Sequence, residues 1–331
     1  MIDESLRDRL EALNRGPLPE QAAAPTEQRI GAVPAHHLPA AAVERPLPRP
    51  NSTPELRPVP GKGGHSVKPT AGLVRSGDQI ETTHGPHLRI RLPIEGFWPN
   101  GSQLVAARQQ FLQSQLVAAQ QAIEPNVAIE SEFATLIGSL PDGAVGLDLE
   151  TCGLAGSALF LVGLIRQIEG KPTVELLLAR NYSEEAAVLA TLWETIANHG
   201  VLLTFNGKSF DWPMVVERSV RHRIPVAWSL PGSPWTAKSA VAKTAQPAKI
   251  HIDILHHARR RWRGQLPNCR LQTLEQHVCR RTRVDDIPGH RIPAVYADYV
   301  RTGFEREMDM VLHHNAHDLV TLLDLALRLA L

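Results

Sequence analysis

Residues 146–164, "GLDLETCGLAGSALFLVGL", decide the fold. Val145, Leu147 and Leu149 alternate with Gly146, Asp148 and Glu150, a period of two that reads as a strand with one face on a core. The same period sends both carboxylates to one face. Like charges that close repel, so a folded chain holding them calls for a nearby cation. Beyond this strand, expected over 144–151, the pattern predicts further strands at 158–168, 173–180 and 201–206. A helix is expected over 183–199, with Ser183 as N-cap and Glu184 and Glu185 in its first turn. Three strands in a row, then a helix and a strand, suit an α/β fold with a mixed sheet better than a doubly wound parallel one. No Gly-x-Gly-x-x-Gly follows the first strand, so the dinucleotide-binding signature is missing.

The rest of the 331 residues divides by composition. Residues 1–15 place Ile2, Leu6, Leu10 and Leu13 at helical spacing before Gly16-Pro17, which predicts a short amphipathic helix able to dock on a protein partner. Residues 16–70 hold 12 of the 26 prolines and read as a disordered Pro/Ala-rich linker. Residues 71–140 read as an accessory segment: a hairpin turning at His84-Gly85-Pro86, then a helix with Leu104, Phe111, Leu112 and Leu116 inward. Residues 141–331 form the main domain.

Composition narrows the class. A net charge of +1 neither selects nor rejects a polyanionic partner, which must be met by a local basic patch. Cys152, Cys269 and Cys279 form no Cys-x-x-Cys pair, which disfavours a disulfide framework or thiolate zinc site and fits a reducing compartment. No apolar run approaches the roughly 18 residues of a membrane span and no secretory signal is seen, so a cytoplasmic protein is expected. "NGKSFD" contains Gly-Lys-Ser but lacks the earlier glycine of a P-loop, and its Asp211 stands where a nucleophile elbow needs Gly.

Three separated stretches combine instead. Asp148-x-Glu150 lies on the strand. "TFNGKSFDWP" ends strand 201–206 at Asn206-Gly207 and puts Asp211 at a helix start, where Pro213 is tolerated. "HHNAHDLVTLLDLAL" sets His314 and Asp318 four apart on one helical face. Four carboxylates and one histidine with no soft ligand suit Mg²⁺ or Mn²⁺.

In this order the motifs resemble the DEDD exonucleases of the ribonuclease H-like superfamily, and more closely the YprB-like ribonuclease H-like domain proteins of bacteria. "LDLETCGLAGSALFLVGL", "LLTFNGKSFDWPMV", "HIDILHHARRRWRGQLPNCRLQTLE" and "HHNAHDLVTL" carry the resemblance, over about residues 72–331 and most specifically 144–331. It implies a ribonuclease H-like mixed sheet flanked by helices and 3′–5′ exonuclease activity on DNA or RNA, at single strands or 3′ ends. Asp148, Glu150, Asp211 and Asp318 would hold two Mg²⁺ or Mn²⁺ ions, Asp148 bridging both. His314 would orient or deprotonate the attacking water. His313 has the spacing of histidine-type members, but on a continuous helix it lies about 140° from Asp318, which favours His314.

Other residues are read beside these. Arg259, Arg260 and Arg263 with Trp262 suit phosphate contact and base stacking, or form a solvated helix face. Arg270, Arg280, Arg281 and Arg283 continue the basic run. Asn206 either positions substrate or caps its turn. Asp253 reads as a structural group, and 229–248 as a loop beside the site. A second functional class is a non-catalytic nucleic-acid-binding or scaffold protein retaining the fold.

Overall fold

The computed structural model describes residues 66–67, 72–121, 130–153, 156–226, 228 and 249–330. The expected helix at 1–15, nearly all of the linker and the loop at 229–248 lie outside them. Strand β1 spans Ser66–Val67. The main strands are β2 (Asp78–Thr82), β3 (Gly85–Pro93), β4 (Ala144–Thr151), β5 (Leu159–Ile168), β6 (Lys171–Leu178), β7 (Val201–Thr204) and β8 (Ile250–Asp253). They form one mixed sheet of seven, in the order β2-β3-β6-β5-β4-β7-β8. The β4–β7 and β7–β8 pairs are parallel and the others antiparallel. A short β9 (Thr282–Arg283) pairs in parallel with β1.

The hairpin expected within an accessory segment is part of this sheet. β3 pairs with β6 from Leu88↔Leu178 to Pro93↔Thr173, so β2 and β3 widen it at one edge. The turn falls at 83–84, and Pro86 lies within β3 opposite Glu81, where β2 is the outermost strand.

The described helices are α1 (Gly101–Gln121), α2 (Ser131–Ser139), α3 (Glu185–Ile196), α4 (Asp211–Arg221), α5 (Ile254–Trp262), α6 (Leu271–Leu274), α7 (Ile292–Thr302) and α8 (Arg306–Leu329). Two expectations about them need correction. In α1, Leu112 is buried and Leu116 half-buried, but Leu104 and Phe111 face outward, Phe111 at 51% exposure. The inward residues are Val105, Gln109 and Leu112. Adjacent apolar pairs at 104–105 and 111–112 leave the register open to pattern. Arg108, which shares the inward face, pairs with fully buried Asp324 of α8 and helps fix it. Before α3, Ser183 lies within a 3₁₀ turn at Tyr182–Glu184 that Asn181 caps, its Oδ1 accepting the Ser183 N–H at 3.0 Å. Helix α3 itself begins at Glu185, with Glu184 as N-cap and no side-chain cap bond.

Helix α8 lies across the face of β4 and β5 that carries the acids. A Cβ on Gly146 would meet Leu322 Cδ2 at 3.2 Å, and one on Gly163 would meet Leu319 Cδ1 at 2.7 Å and collide with Asn315 Oδ1. Glycine at 163 therefore lets α8 approach the strand directly opposite Asp148. Gly163→Ala is expected to cost about 1–3 kcal/mol, the range for overpacking a filled interior. Chemical denaturation with unchanged midpoint and slope would contradict this contact. Among the described residues no helix is long and apolar enough to cross a membrane.

Candidate active site

Asp148 and Glu150 occupy alternate positions near the end of β4, half-buried on the face toward α8, while Val145, Leu147 and Leu149 on the other face are buried. Asp211 arrives from the parallel neighbour. After β7 the chain turns through Asn206, whose φ of 67° is left-handed, a conformation asparagine tolerates. Asp253, at the end of β8, fixes this turn: its carboxylate accepts the N–H groups of Asn206 at 2.8 Å, Lys208 at 3.2 Å and Leu255 at 3.1 Å. The last bond caps α5, so one buried carboxylate ties two strand ends together. Asp211 then opens α4 at 5% exposure.

Helix α8 brings the remaining groups. Asn315 Nδ2 donates to Asp148 Oδ2 at 2.7 Å. His314 Nε2 lies 3.5 Å from Asp318 Oδ2, and its Nδ1 is 2.8 Å from Asp286 Oδ1. His313 points elsewhere, against Phe97 and His317 with ring centroids 4.8 and 5.0 Å away. The structure thus brings Asp148, Glu150, Asp211, His314 and Asp318 into one electrostatic cluster.

The cluster is short of positive charge, which reaches it through His314 and Arg283 beside Asp318. Among the described residues, only Asp318 of the four acids has a basic nitrogen within 4.0 Å. Burial, then the charges of Asp318, Asp211 and Glu150, hold the Asp148 carboxyl well above its usual range. Burial raises Glu150 to about 8 against the favourable charge of His314, with Asp318 and Asp211 adding to the rise. Burial also lifts Asp211 to about 7, although hydrogen bonds from its own amide and that of Leu149 oppose this. For His314 burial works downward, yet Asp318, the Asp286 hydrogen bond and Glu150 together raise it to about 9. His313 goes the other way, to about 4, through burial and then His317.

These shifts have one sign in their effect on stability. A group whose folded pKa is raised contributes stability below its unfolded pKa and loses it as pH rises through the folded value. Glu150 and His314 therefore make the metal-free protein less stable as pH climbs toward about 8 and about 9. Histidines held near 4, such as His313, act oppositely, but only below their ordinary 6.5. The melting temperature of chelator-treated protein should fall between about pH 6.5 and about pH 9, and Mn²⁺ should restore more at the upper end. A flat profile in differential scanning fluorimetry would contradict this electrostatic account.

The donor set fits hard divalent cations: oxygen ligands on strand and helix, carrying unneutralised charge, with no thiolate among them. Asp148, Glu150 and Asp211 would hold the ion, with Asp318 contributing from α8. As the side chains stand, no three His, Cys, Asp or Glu among the described residues are gathered closely enough to enclose an ion. Asp318 is paired with Arg283.

The basic run divides into separate environments. Arg259, Arg260 and Arg263 are exposed at the end of α5, and Arg260 Nη2 pairs with Glu130 at 2.7 Å. Trp262 is half-buried against the core. None of the four forms an ion pair or hydrogen bond with the acids among the described residues. Arg281 is buried on Asp324, and Arg283 among Glu275, Asp286 and Asp318. Asn206 is exposed beside the cluster. Sequence reasoning missed Asn315, Arg283 and Asp286 as members of the site; the mid-strand glycine at 163 was the available signal for Asn315.

A mixed sheet presenting acids from strand, turn and helix places the chain in a known class, and residues 145–330 match the family model described as RNase_H superfamily. The chain belongs to that superfamily, as a YprB-like member. It is 30% identical over 188 residues to "Uncharacterized protein YprB" of Bacillus subtilis (strain 168), a match covering 55% of this chain and 41% of that protein. The chain thus spans less than half the length of this curated relative. Among solved structures it is similar to the family B DNA polymerase of the hyperthermophilic archaeon Pyrobaculum calidifontis. That likeness has a TM-score of 0.42 and 17% identity, and covers 56% of this chain and 24% of that one.

Proposed function

We propose that this protein hydrolyses phosphodiester bonds of nucleic acid with divalent metal, as a 3′–5′ exonuclease of the two-metal type. The observation that carries the reading is the shortage of positive charge at Asp148, Glu150 and Asp211, three buried or half-buried acids that no basic nitrogen among the described residues approaches within 4.0 Å. Burying such a group is costly unless a cation compensates it. When bound, two divalent ions activate water and stabilise the leaving 3′-oxygen of an in-line displacement.

The chain's own residues do the rest. Asn315 orients Asp148 through its amide hydrogen bond. Asp253 locks the turn that delivers Asp211 and leaves Asn206 exposed, where its side chain would contact substrate. His314 would take the proton from the attacking water. Asp318, the Asp286 hydrogen bond and Glu150 hold a proton on it in the metal-free protein, and neutralising Asp318 and Glu150 would lower its affinity for that proton.

The test is incubation with 5′-labelled single-stranded DNA and RNA in Mn²⁺. A ladder shortening from the 3′ end supports the reading. Internal cuts would make the protein an endonuclease, and intact label with retained binding would make it a binding protein.

Substrate grip is assigned to the end of α5. Arg260 is already paired with Glu130, whereas Arg259 and Arg263 have no acidic partner among the described residues and would supply the charge. Each phosphate contact on a single strand contributes a salt slope of about −0.7, so replacing both with Ala should flatten the slope by about 1.4. Trp262→Ala should weaken binding with little change in slope, since stacking releases no counterions. An unchanged slope in the double variant would mean that these arginines only face solvent.

A further inference from the structure

We infer that the segment Thr282–Ile287 is the positioning element of this site, Arg283 presenting Asp318 and Asp286 presenting His314, an assignment that rests on the nuclease reading above. Arg283 is one guanidinium, its side chain 6% exposed, among three carboxylates. Its Nη2 pairs with Asp318 Oδ1, its Nε lies 2.6 Å from Glu275 Oε2, and its Nη1 is 3.4 Å from Asp286 Oδ2. A planar fork of this kind holds two carboxylates in fixed relation, as a lysine ammonium does not. Asp318 is left with Oδ2 directed toward His314.

Asp286 is equally determined. Besides His314 Nδ1, its carboxylate accepts from Ile287 N–H at 3.0 Å and Gln272 Nε2 at 3.1 Å. A carboxylate with so many donors is rigid, and the imidazole against it takes up its orientation. Nδ1 is bound on the outer side, and Nε2 is turned toward the acids.

The backbone is shaped for this delivery. Arg280 and Asp285 both adopt left-handed φ values, 60° and 56°. Such conformations persist in residues other than glycine where surrounding contacts over-determine them. Between them β9 is pinned by parallel pairing to β1, Thr282 opposite Ser66 and Arg283 opposite Val67. The two bends bring Arg283 and Asp286, three residues apart, onto two neighbouring members of α8.

The decisive variant is Asp286→Ala, with Asp286→Asn as its conservative partner, because an amide oxygen still accepts from Nδ1–H. Asp286→Ala is expected to lower kcat about 10- to 100-fold, the range for groups that orient others at metal sites, while KM and Mn²⁺ affinity stay within about twofold. Asp286→Asn should recover most of kcat. Loss of kcat, KM and Mn²⁺ affinity together would reduce Asp286 to a structural role and overturn the assignment. In metal-free protein the hydrogen-bonded His314 Nδ1–H should give a downfield proton resonance that disappears in Asp286→Ala. Its persistence would also overturn the assignment. Should the wild-type protein hydrolyse nothing, the nuclease reading falls alone, and this resonance still decides the role of Asp286. For the other half, Arg283→Gln is expected to weaken Mn²⁺ binding about 10- to 100-fold and Arg283→Lys to weaken it less. Tighter Mn²⁺ binding in either variant would mean that Arg283 competes with the ion instead of presenting its ligand.

Discussion

Asp148→Asn should bind no Mn²⁺ detectable by calorimetry and show no metal-dependent hydrolysis, yet melt at a higher temperature than the wild type in chelator near pH 8. The pairing of these effects distinguishes a metal ligand from a structural acid. Asp148 sits among Asp318, Asp211 and Glu150, and burial and these charges together raise its carboxyl well above its usual range. A neutral isostere removes that repulsion, so the metal-free protein gains stability as it loses its ligand. The Asn315 amide keeps an oxygen to donate to, since Asn presents the same acceptor at the same place. Undiminished Mn²⁺ binding, or a fall in melting temperature, would remove Asp148 from the site.

The second large effect is expected at His314. His314→Ala should lower the hydrolysis rate on the order of 10²–10⁴-fold while Mn²⁺ still binds, the range for a general acid–base group. His313→Ala should leave the rate within a few-fold and lower the melting temperature instead, because its ring is packed against Phe97 and His317 away from the acids. Comparing the two variants in single-turnover kinetics checks the assignment. The reverse ranking would move the proton-transfer role to His313 and contradict the side-chain directions on α8.

Much of this site was legible in the sequence because its parts follow short periods. Alternation in 144–151 located β4 and put Asp148 and Glu150 on one face, and the spacing of four did the same for His314 and Asp318. Asp211 was legible from the Asn-Gly turn and the Pro that follows it. What pattern did not reveal depends on contacts between residues far apart in the chain. Arg283 reads as one more member of a basic run, and its role appears only when the fold sets it against Asp318, 35 positions away. Asp286 belongs to no motif, and its role appears only when the fold sets His314 opposite it. The α1 face was misread because two adjacent apolar pairs satisfy either register. The hairpin 78–93 looked separate from the domain because its partner β6 lies far along the chain, and pairing of that kind leaves no local mark.

The most direct measurement is anomalous diffraction from crystals of the protein grown with Mn²⁺. Metal bound at this site should give anomalous density bounded by the carboxylates of Asp148, Glu150 and Asp211, with two peaks about 3.5–4 Å apart when a nucleotide is also bound, and none in Asp148→Asn crystals. Saturating Mn²⁺ with no anomalous density at these acids, while the fold is intact, would contradict the metal site.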